Sequence, residues 1–561
     1  LKKVTLVFVC LFILGAGLRA ANVLRPVDTS SWRESDVASI ARNYVREGMN
    51  PFYPRIDWRG DGPGYAEMEF PLYPWLIAVC YQIFGVHEVT GRIIAFIFSL
   101  LAMFFFIKLA RYLLSETGAV IATLFFVLSP LVIGISNSLQ PEGLMFLAYI
   151  LAVYFFIRWL DDDSWKNYGL ALLATALAIL AKATAAHIGL FFAMLVLSRM
   201  GFKALRQPRI WLFAAGALVP SMLWYWHAHR LWLTYGNSLG VSNETHWAGW
   251  DLFTNPSFIL GIERAEVFYV WMPTGLILVL LAGLLGKSEK AIKPSLYWLA
   301  AIGIYYLIAA RTTSDSWAVY YHVVSIPAVA LMIGAGVEAI THLKYERRLL
   351  LMLILASVAL IGVLDFAGFM HLAGFNSRLL VKLSVLFGLS ALLLIMLFFK
   401  RNTGEGDALI AGSRHARLNT LVIFFAIVST AATFLYQLRE VREEFAARDA
   451  EGGLHACAQR FAPAIPENVL ILASGGPCLD PTGYPVAYNS SYMFYWLNRK
   501  GFNICVEQQS VAALKILTER GARYFVAEKS ALKMKQGFEE ELRRSFPLIA
   551  ECDEAYLFQL K

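Results

Sequence analysis

Apolar stretches long enough to cross ~30 Å of hydrocarbon recur along this chain. They fall near residues 4 to 22, 90 to 112, 117 to 136, 142 to 160, 166 to 183, 184 to 200, 209 to 227, 270 to 286, 294 to 311, 319 to 341, 348 to 368, 379 to 399 and 416 to 437. About thirteen such runs leave few ways to fold, because lipid offers no partner for backbone N–H and C=O groups and a continuous apolar run satisfies them only as a helix. A transmembrane β-barrel is excluded, since its strands would alternate polar and apolar residues. Composition agrees: 58% of the 561 residues are apolar and 16% charged, too little charge for a soluble multidomain enzyme. The net charge of +8 therefore bears on topology and gives no reason to expect a nucleic-acid partner.

The stretch Pro71 to Gly85 is apolar but short and interrupted by Pro71 and Pro74, so it reads as a helix lying in or dipping into the interface. With it left out and the N-terminus inside, alternate loops collect the cations: Lys2 and Lys3; Lys108 and Arg111; Arg199, Lys203, Arg206 and Arg209; Lys287, Lys290 and Lys293; Lys344, Arg347 and Arg348; Lys400, Arg401, Arg414 and Arg417. Those loops are expected to be cytoplasmic. Asp161, Asp162 and Asp163 are the exception on that side, and acidic residues weigh little in orientation. A cleaved signal peptide is the alternative for the first run; the rest of the topology is the same either way. The chain then divides into a transmembrane domain, 1–437, with outer segments 23–89 and 228–269, and an extracytoplasmic α/β domain, 438–561. The expected location is the inner (plasma) membrane.

In the second domain, strand-like runs at 468–473, 502–506, 523–527 and 555–559 alternate with helical patterns at 510–519 and 530–544. Cys457, Cys478, Cys505 and Cys552 fall there. An outside location permits disulfides, with three connectivities open; the expectation is Cys457 with Cys478 and Cys505 with Cys552, against ordinary buried thiols. Cys10 and Cys80 read as packing residues.

The first outer segment is the most informative. Ser31-x-x-Glu34 has the form of a capping box, and Val37, Ile40, Ala41 and Tyr44 recur at helical spacing, which predicts a short amphipathic helix on the membrane surface. Asp36 lies near its start. Glu69 precedes Phe70-Pro71, and Gln140-Pro141-Glu142 opens the fourth span on the same side. Each carboxylate alone could cap a helix or pair with Arg33, Arg42 or Arg92. Three at one depth point to a site, because ionisable groups at span ends facing a bundle interior mark one. Trp32, Tyr53, Trp58, Trp247 and Trp250 crowd the outer segments and suit interfacial anchoring. No Walker loop, dinucleotide fingerprint or nucleophile elbow is present.

With its Asp-bearing loop helix, Glu69-Phe-Pro-Leu-Tyr-Pro74, an acidic residue at an outer span end and a C-terminal soluble domain, the chain resembles the integral-membrane C-type glycosyltransferases. Within them it is similar to the protein O-mannosyltransferase and lipid A aminoarabinose transferase superfamily. The resemblance implies a GT-C fold and gives Asp36 the position of the catalytic base and Glu142 that of the second, orienting acid. Glu69 matches the acid of a Glu-Lys-Pro-Pro motif, with Phe70 in place of the lysine. Lys182 matches a family lysine, while Arg311 and Tyr320-Tyr321-His322 resemble the donor-phosphate end. The resemblance also implies a divalent metal between Glu69 and His246.

Outside the cytoplasm there are no nucleotide sugars, so the expected donor is a polyprenyl-phosphate-linked sugar and the acceptor a hydroxyl on lipid, glycan or protein. Phosphate leaves without protonation, so one base and cations on the phosphate suffice for an inverting displacement. The competing readings are a secondary transporter, which should show two related halves and broken helices near the midplane, and a lipid-linked oligosaccharide transferase.

Overall fold

The computed structural model describes residues 2–341, apart from 22, 28–30, 242–246 and most of 272–287, and residues 453–561, apart from most of 480–487. His246 and the expected spans at 348–368, 379–399 and 416–437 lie outside the described residues, as does part of 270–286. Among the described residues six helices are long and apolar enough to cross a membrane: Lys3–Ala20, Glu88–Leu113, Glu142–Asp162, Ala183–Arg206, Glu289–Ile308 and Ala318–Ala339. Trp165–Ala181 is apolar but shorter, and Pro208–Tyr235 is a 28-residue helix rich in tryptophan.

The run at 117–136 is one apolar stretch in sequence and two helices in the fold, Glu116–Leu128 and Pro130–Ile135. Pro130 has no N–H to donate and disfavours helical backbone at Ser129, so the first helix stops there. The carbonyls left at Phe126 and Val127 accept from the fully buried Arg19 guanidinium, at 3.4 and 3.1 Å, and Arg19 Nε donates to Ser99. That cation therefore ties the first helix to the bundle. At the opposite end of the bundle the acidic triplet sits among cations, with Asp161 on Arg199, Asp162 on Arg158 and Asp163 on Arg209.

The predicted loop helix forms as Trp32–Glu47, yet it does not lie open on a surface. Residues Glu34 to Tyr44 are buried between the helix Leu72–Phe84 on one side and the helix Ser491–Leu497 of the C-terminal domain on the other. Most of its buried polar groups bond to protein, while Asp36 Oδ2 and Arg42 Nε have no hydrogen-bond partner among the described residues. The capping box is not made either: Ser31 gives no side-chain cap, and Glu34 accepts from Arg92 (2.8 Å) and the Leu139 N–H (3.0 Å). A guanidinium within reach is a stronger partner for a buried carboxylate than one amide at a helix start.

The C-terminal residues build a five-stranded sheet in the order β2-β1-β3-β5-β4: β1 Leu470–Ser474, β2 Lys500–Ile504, β3 Ala522–Glu528, β4 Leu548–Glu551 and β5 Ala555–Gln559. β1 runs parallel to β2 and β3, and β5 is antiparallel to β3 and β4. β4 has no counterpart among the predicted strands, and the helical pattern at 530–544 is two helices, Lys529–Met534 and Phe538–Ser545, separated at Gly537 with φ 81°. The disulfides are Cys457–Cys552 and Cys478–Cys505, which corrects both expected pairs. Cys478 and Cys505 follow the paired strand ends Ser474 and Ile504, so their Cα atoms come within 5.2 Å. Cys457 lies in the helix Gly453–Phe461, whose buried face joins β5 residues in one core, beside the β4–β5 turn that holds Cys552.

Candidate active site

The loop carrying Glu69 is fixed by backbone hydrogen bonds to segments distant in sequence. Glu67 N–H donates to the Asn237 carbonyl and Phe70 N–H to the Leu180 carbonyl, both at 2.9 Å, which brings Glu69 next to the end of the helix Trp165–Ala181 and hence to Lys182. On the other side, Gln140 Nε2 donates to Ser31 Oγ at 2.8 Å and the Leu139 amide to Glu34, so the turn opening the Glu142 helix is bound to the start of the Asp36 helix. Three segments far apart in sequence thus meet at one end of the bundle.

Arg33 stands at the centre. It is paired directly with Glu69, and lies three residues before Asp36, on the same helix face. Burial works against its charge, but the carboxylates of Glu69, Asp36 and Glu142 and the Tyr320 phenol outweigh it and hold the guanidinium above its ordinary value. Those groups are therefore all within electrostatic reach of one cation. In sequence Arg33 had appeared only as a partner for a carboxylate; its i, i+3 spacing to Asp36 was the signal available.

Asp36 is fully buried. Its Oδ1 accepts from the Trp58 indole N–H at 2.8 Å, and its Oδ2 has no hydrogen-bond partner among the described residues. Burial pushes the carboxyl up to about 7, against the Trp58 hydrogen bond and the Arg33 charge, which favour the ionised form. A carboxylate titrating there is matched to proton transfer near neutral pH. Trp58 was expected as an interfacial anchor; here it is the hydrogen-bond donor to Asp36.

Glu142 and Lys182 form a buried ion pair, and Glu142 Oε2 is left without a partner among the described residues. The Lys182 ammonium also lies 4.8 Å from the Tyr320 ring centre and 4.2 Å from that of Tyr321, within cation–π range. Asp36, Glu69, Glu142 and Tyr320 thus gather around Arg33, and Lys182 and Tyr321 join them through Glu142 and Tyr320.

Two predicted residues are engaged differently. His322 is buried, with Nδ1 2.7 Å from Glu266 Oε1 and Nε2 2.7 Å from the Thr313 carbonyl; the tight 3-10 turn Ser316–Ser325 sends it away from the face that presents Tyr320 and Tyr321. Glu266 went unread in the sequence. It also accepts from Trp271 Nε1 and Ser325 Oγ. Arg311 pairs with Asp251 at 2.8 Å and donates to the Trp247 carbonyl, so its charge is shared with that loop. As for a metal, Glu69 is taken up by Arg33, and His246 lies outside the described residues. Among the described residues the group of metal-binding types close enough to share an ion is Cys478, Cys505 and Glu507, whose sulfurs are joined in a disulfide.

The helical bundle, with its buried carboxylate and guanidinium cluster and its small α/β domain, has likenesses among known proteins. Residues 63–226 match the family described as dolichyl-phosphate-mannose-protein mannosyltransferase. The fold matches the crystal structure of ArnT from Cupriavidus metallidurans bound to undecaprenyl phosphate, with TM-score 0.61 and 14% identity over 99% of this chain and 98% of that one. ArnT in the apo state matches with the same score and identity, over 100% and 98% of the two chains. The archaeal oligosaccharyltransferase AglB from Archaeoglobus fulgidus, in complex with an inhibitory peptide and a dolichol-phosphate, aligns at TM-score 0.49 and 11% identity over 93% of this chain and 69% of that one. None of the curated proteins compared with the chain matches it. The chain thus shares the fold of ArnT over nearly its full length, and residues 63–226 carry the pattern of the mannosyltransferase family.

Proposed function

We propose that this protein transfers a sugar from a polyprenyl-phosphate donor to an acceptor hydroxyl on a lipid, glycan or protein at the outer face of the inner membrane, with inversion at the anomeric carbon. In this reading the N-terminus is cytoplasmic and residues 438–561 form the extracytoplasmic domain. The observation that carries it is the convergence of Asp36, Glu69 and Glu142 on Arg33, with Lys182 alongside. The undecaprenyl phosphate bound to ArnT supports the donor class.

Asp36 Oδ2 takes the acceptor hydroxyl proton while the acceptor oxygen bonds to the anomeric carbon. The bond from that carbon to the phosphate oxygen breaks, and polyprenyl phosphate leaves with the electron pair. Lys182 and Arg33 supply positive charge for the departing phosphate, and Glu142 and Glu69 hold those two cations in place. Tyr320 and Tyr321 wall the lysine and keep water from it. A buried setting strengthens each of these interactions over its value in water. Glu69 is engaged by Arg33, so its part in these steps is to hold that cation.

The test is reconstitution of the full chain in liposomes with labelled polyprenyl-phosphate sugar. Donor consumption matched by release of polyprenyl phosphate supports the proposal. Movement of solute with the donor intact supports a transporter instead.

A further inference from the structure

We infer that Trp58 is a positioning residue for Asp36, held in place by the C-terminal domain. The inference rests on the reading of Asp36 as the base. The indole N–H can only donate, so its bond to Oδ1 favours the ionised carboxylate and makes its two oxygens unequal. Oδ1 is anchored. Oδ2, without a partner among the described residues, is left to receive the proton.

What keeps the indole there is the distant end of the chain. Trp58 packs at once against the core cluster that holds Ile40, Tyr44 and Ile56 of the first outer segment and against the one that holds Met493, Phe494 and Leu497. The backbone on either side is tied to strand β2: the Gly501 N–H donates to the Asp57 carbonyl at 3.1 Å and the Gly60 N–H to the Gly501 carbonyl at 2.7 Å. Position 501 tolerates only glycine, because a Cβ would collide with the Ile471 carbonyl. Asp57 accepts from Arg42 at 2.7 Å and Asn43 at 2.8 Å, and Arg42 donates onward to the Tyr495 carbonyl at 2.9 Å. Next to Asp36 itself, Ser35 Oγ meets Ser491 Oγ at 2.8 Å, and Ser491 Oγ also donates to the Trp32 carbonyl. Both the donor and the helix that carries the acceptor are thus clamped by the same domain.

The charged groups acting on Asp36 are Arg33 on its own helix and Asp57 beside Trp58, with Glu69 and Glu142 across Arg33. The two helices packed on it, Leu72–Phe84 and Ser491–Leu497, contain no Asp, Glu, Lys, Arg or His; their titratable residues are Tyr73, Cys80, Tyr81, Tyr492 and Tyr495. Among the described residues, the Trp58 hydrogen bond is therefore the one neutral contact from outside the helix that selects the ionised form.

The test measures Asp36 directly in the full chain: the infrared carboxylic-acid C=O band that disappears in Asp36→Asn, titrated in the parent protein and in Trp58→Phe. Loss of a hydrogen bond to a charged group should raise the midpoint by about one pH unit, with the acid limb of kcat/KM for transfer moving equally. If Trp58→Phe fails to fold, benzothienylalanine at position 58 removes the N–H while keeping the shape, and carries the same expectation. An unmoved midpoint, with Asp36→Asn inactive, overturns the inference alone. A midpoint that moves while the transfer profile stays fixed removes Asp36 as the base, and with it the role given to Trp58.

Discussion

Lys182→Ala separates two roles that the fold superimposes on one side chain. Lys182 and Glu142 are 6% and 3% exposed, and the ammonium is the partner of Glu142 Oε1 while Oε2 has none among the described residues. Removing the lysine strands a carboxylate in a dry site, which costs about 3–5 kcal/mol when one member of a buried pair is deleted. The substitution also takes a charge-assisted hydrogen bond from the donor phosphate, worth about 1.5–3 kcal/mol, or on the order of ten- to a hundredfold in apparent donor KM. The second substitution Glu142→Gln removes the stranded charge. The double variant Glu142→Gln/Lys182→Ala should therefore regain most of the thermal stability that Lys182→Ala loses, while the donor KM stays high. The assays are thermal unfolding in detergent and initial rates against donor concentration in liposomes. If Lys182→Ala unfolds earlier yet binds donor with the parent KM, the lysine serves Glu142 alone and the phosphate is held elsewhere.

Asp36→Asn should raise the unfolding temperature at pH 8 more than at pH 5. The folded carboxyl titrates near 7 against an ordinary 3.8, so between those values the native state keeps a proton the unfolded chain has lost. Stability then falls as pH rises through that window by up to about 1.4 kcal/mol per unit, and an asparagine escapes the loss; equal shifts at both pH values would remove the raised carboxyl from the account. Non-reducing peptide mapping should recover Cys457 joined to Cys552 and Cys478 joined to Cys505, and Cys457→Ser/Cys552→Ser should cost the C-terminal domain about 2–5 kcal/mol. Arg92→Met should destabilise the chain by about 3–5 kcal/mol by leaving Glu34 buried, with Glu34→Gln/Arg92→Met recovering most of it in thermal unfolding.

Run length made the spans legible, because about twenty apolar residues without alternation have one solution in lipid. The break at Pro130 was lost inside that signal: apolarity continues through it, and only the backbone chemistry of proline divides the helix. The Asp36 helix was readable from its period, while its burial was not, since the helix that covers it, Ser491–Leu497, lies more than four hundred residues away in the chain. The same distance hid Trp58, whose aromatic character suits a membrane interface equally well. Ser31 and Glu34 obey a local rule that a tertiary partner, Arg92, overrode. The disulfides depended on which strands are neighbours, and spacing in sequence carries no such information. Glu266 became visible only as the partner of His322, whereas Glu142 and Lys182 stood out because charged residues at the ends of apolar runs are few.

In the proposed reaction Asp36 acts as the base in a cluster shared with Glu69 and Glu142. Turnover of labelled polyprenyl-phosphate sugar by Asp36→Asn in liposomes tests it most directly, on protein shown to unfold at or above the parent temperature. Turnover should fall about a hundred- to ten-thousandfold, the contribution of a positioned general base. Turnover within a few-fold of the parent protein would contradict it.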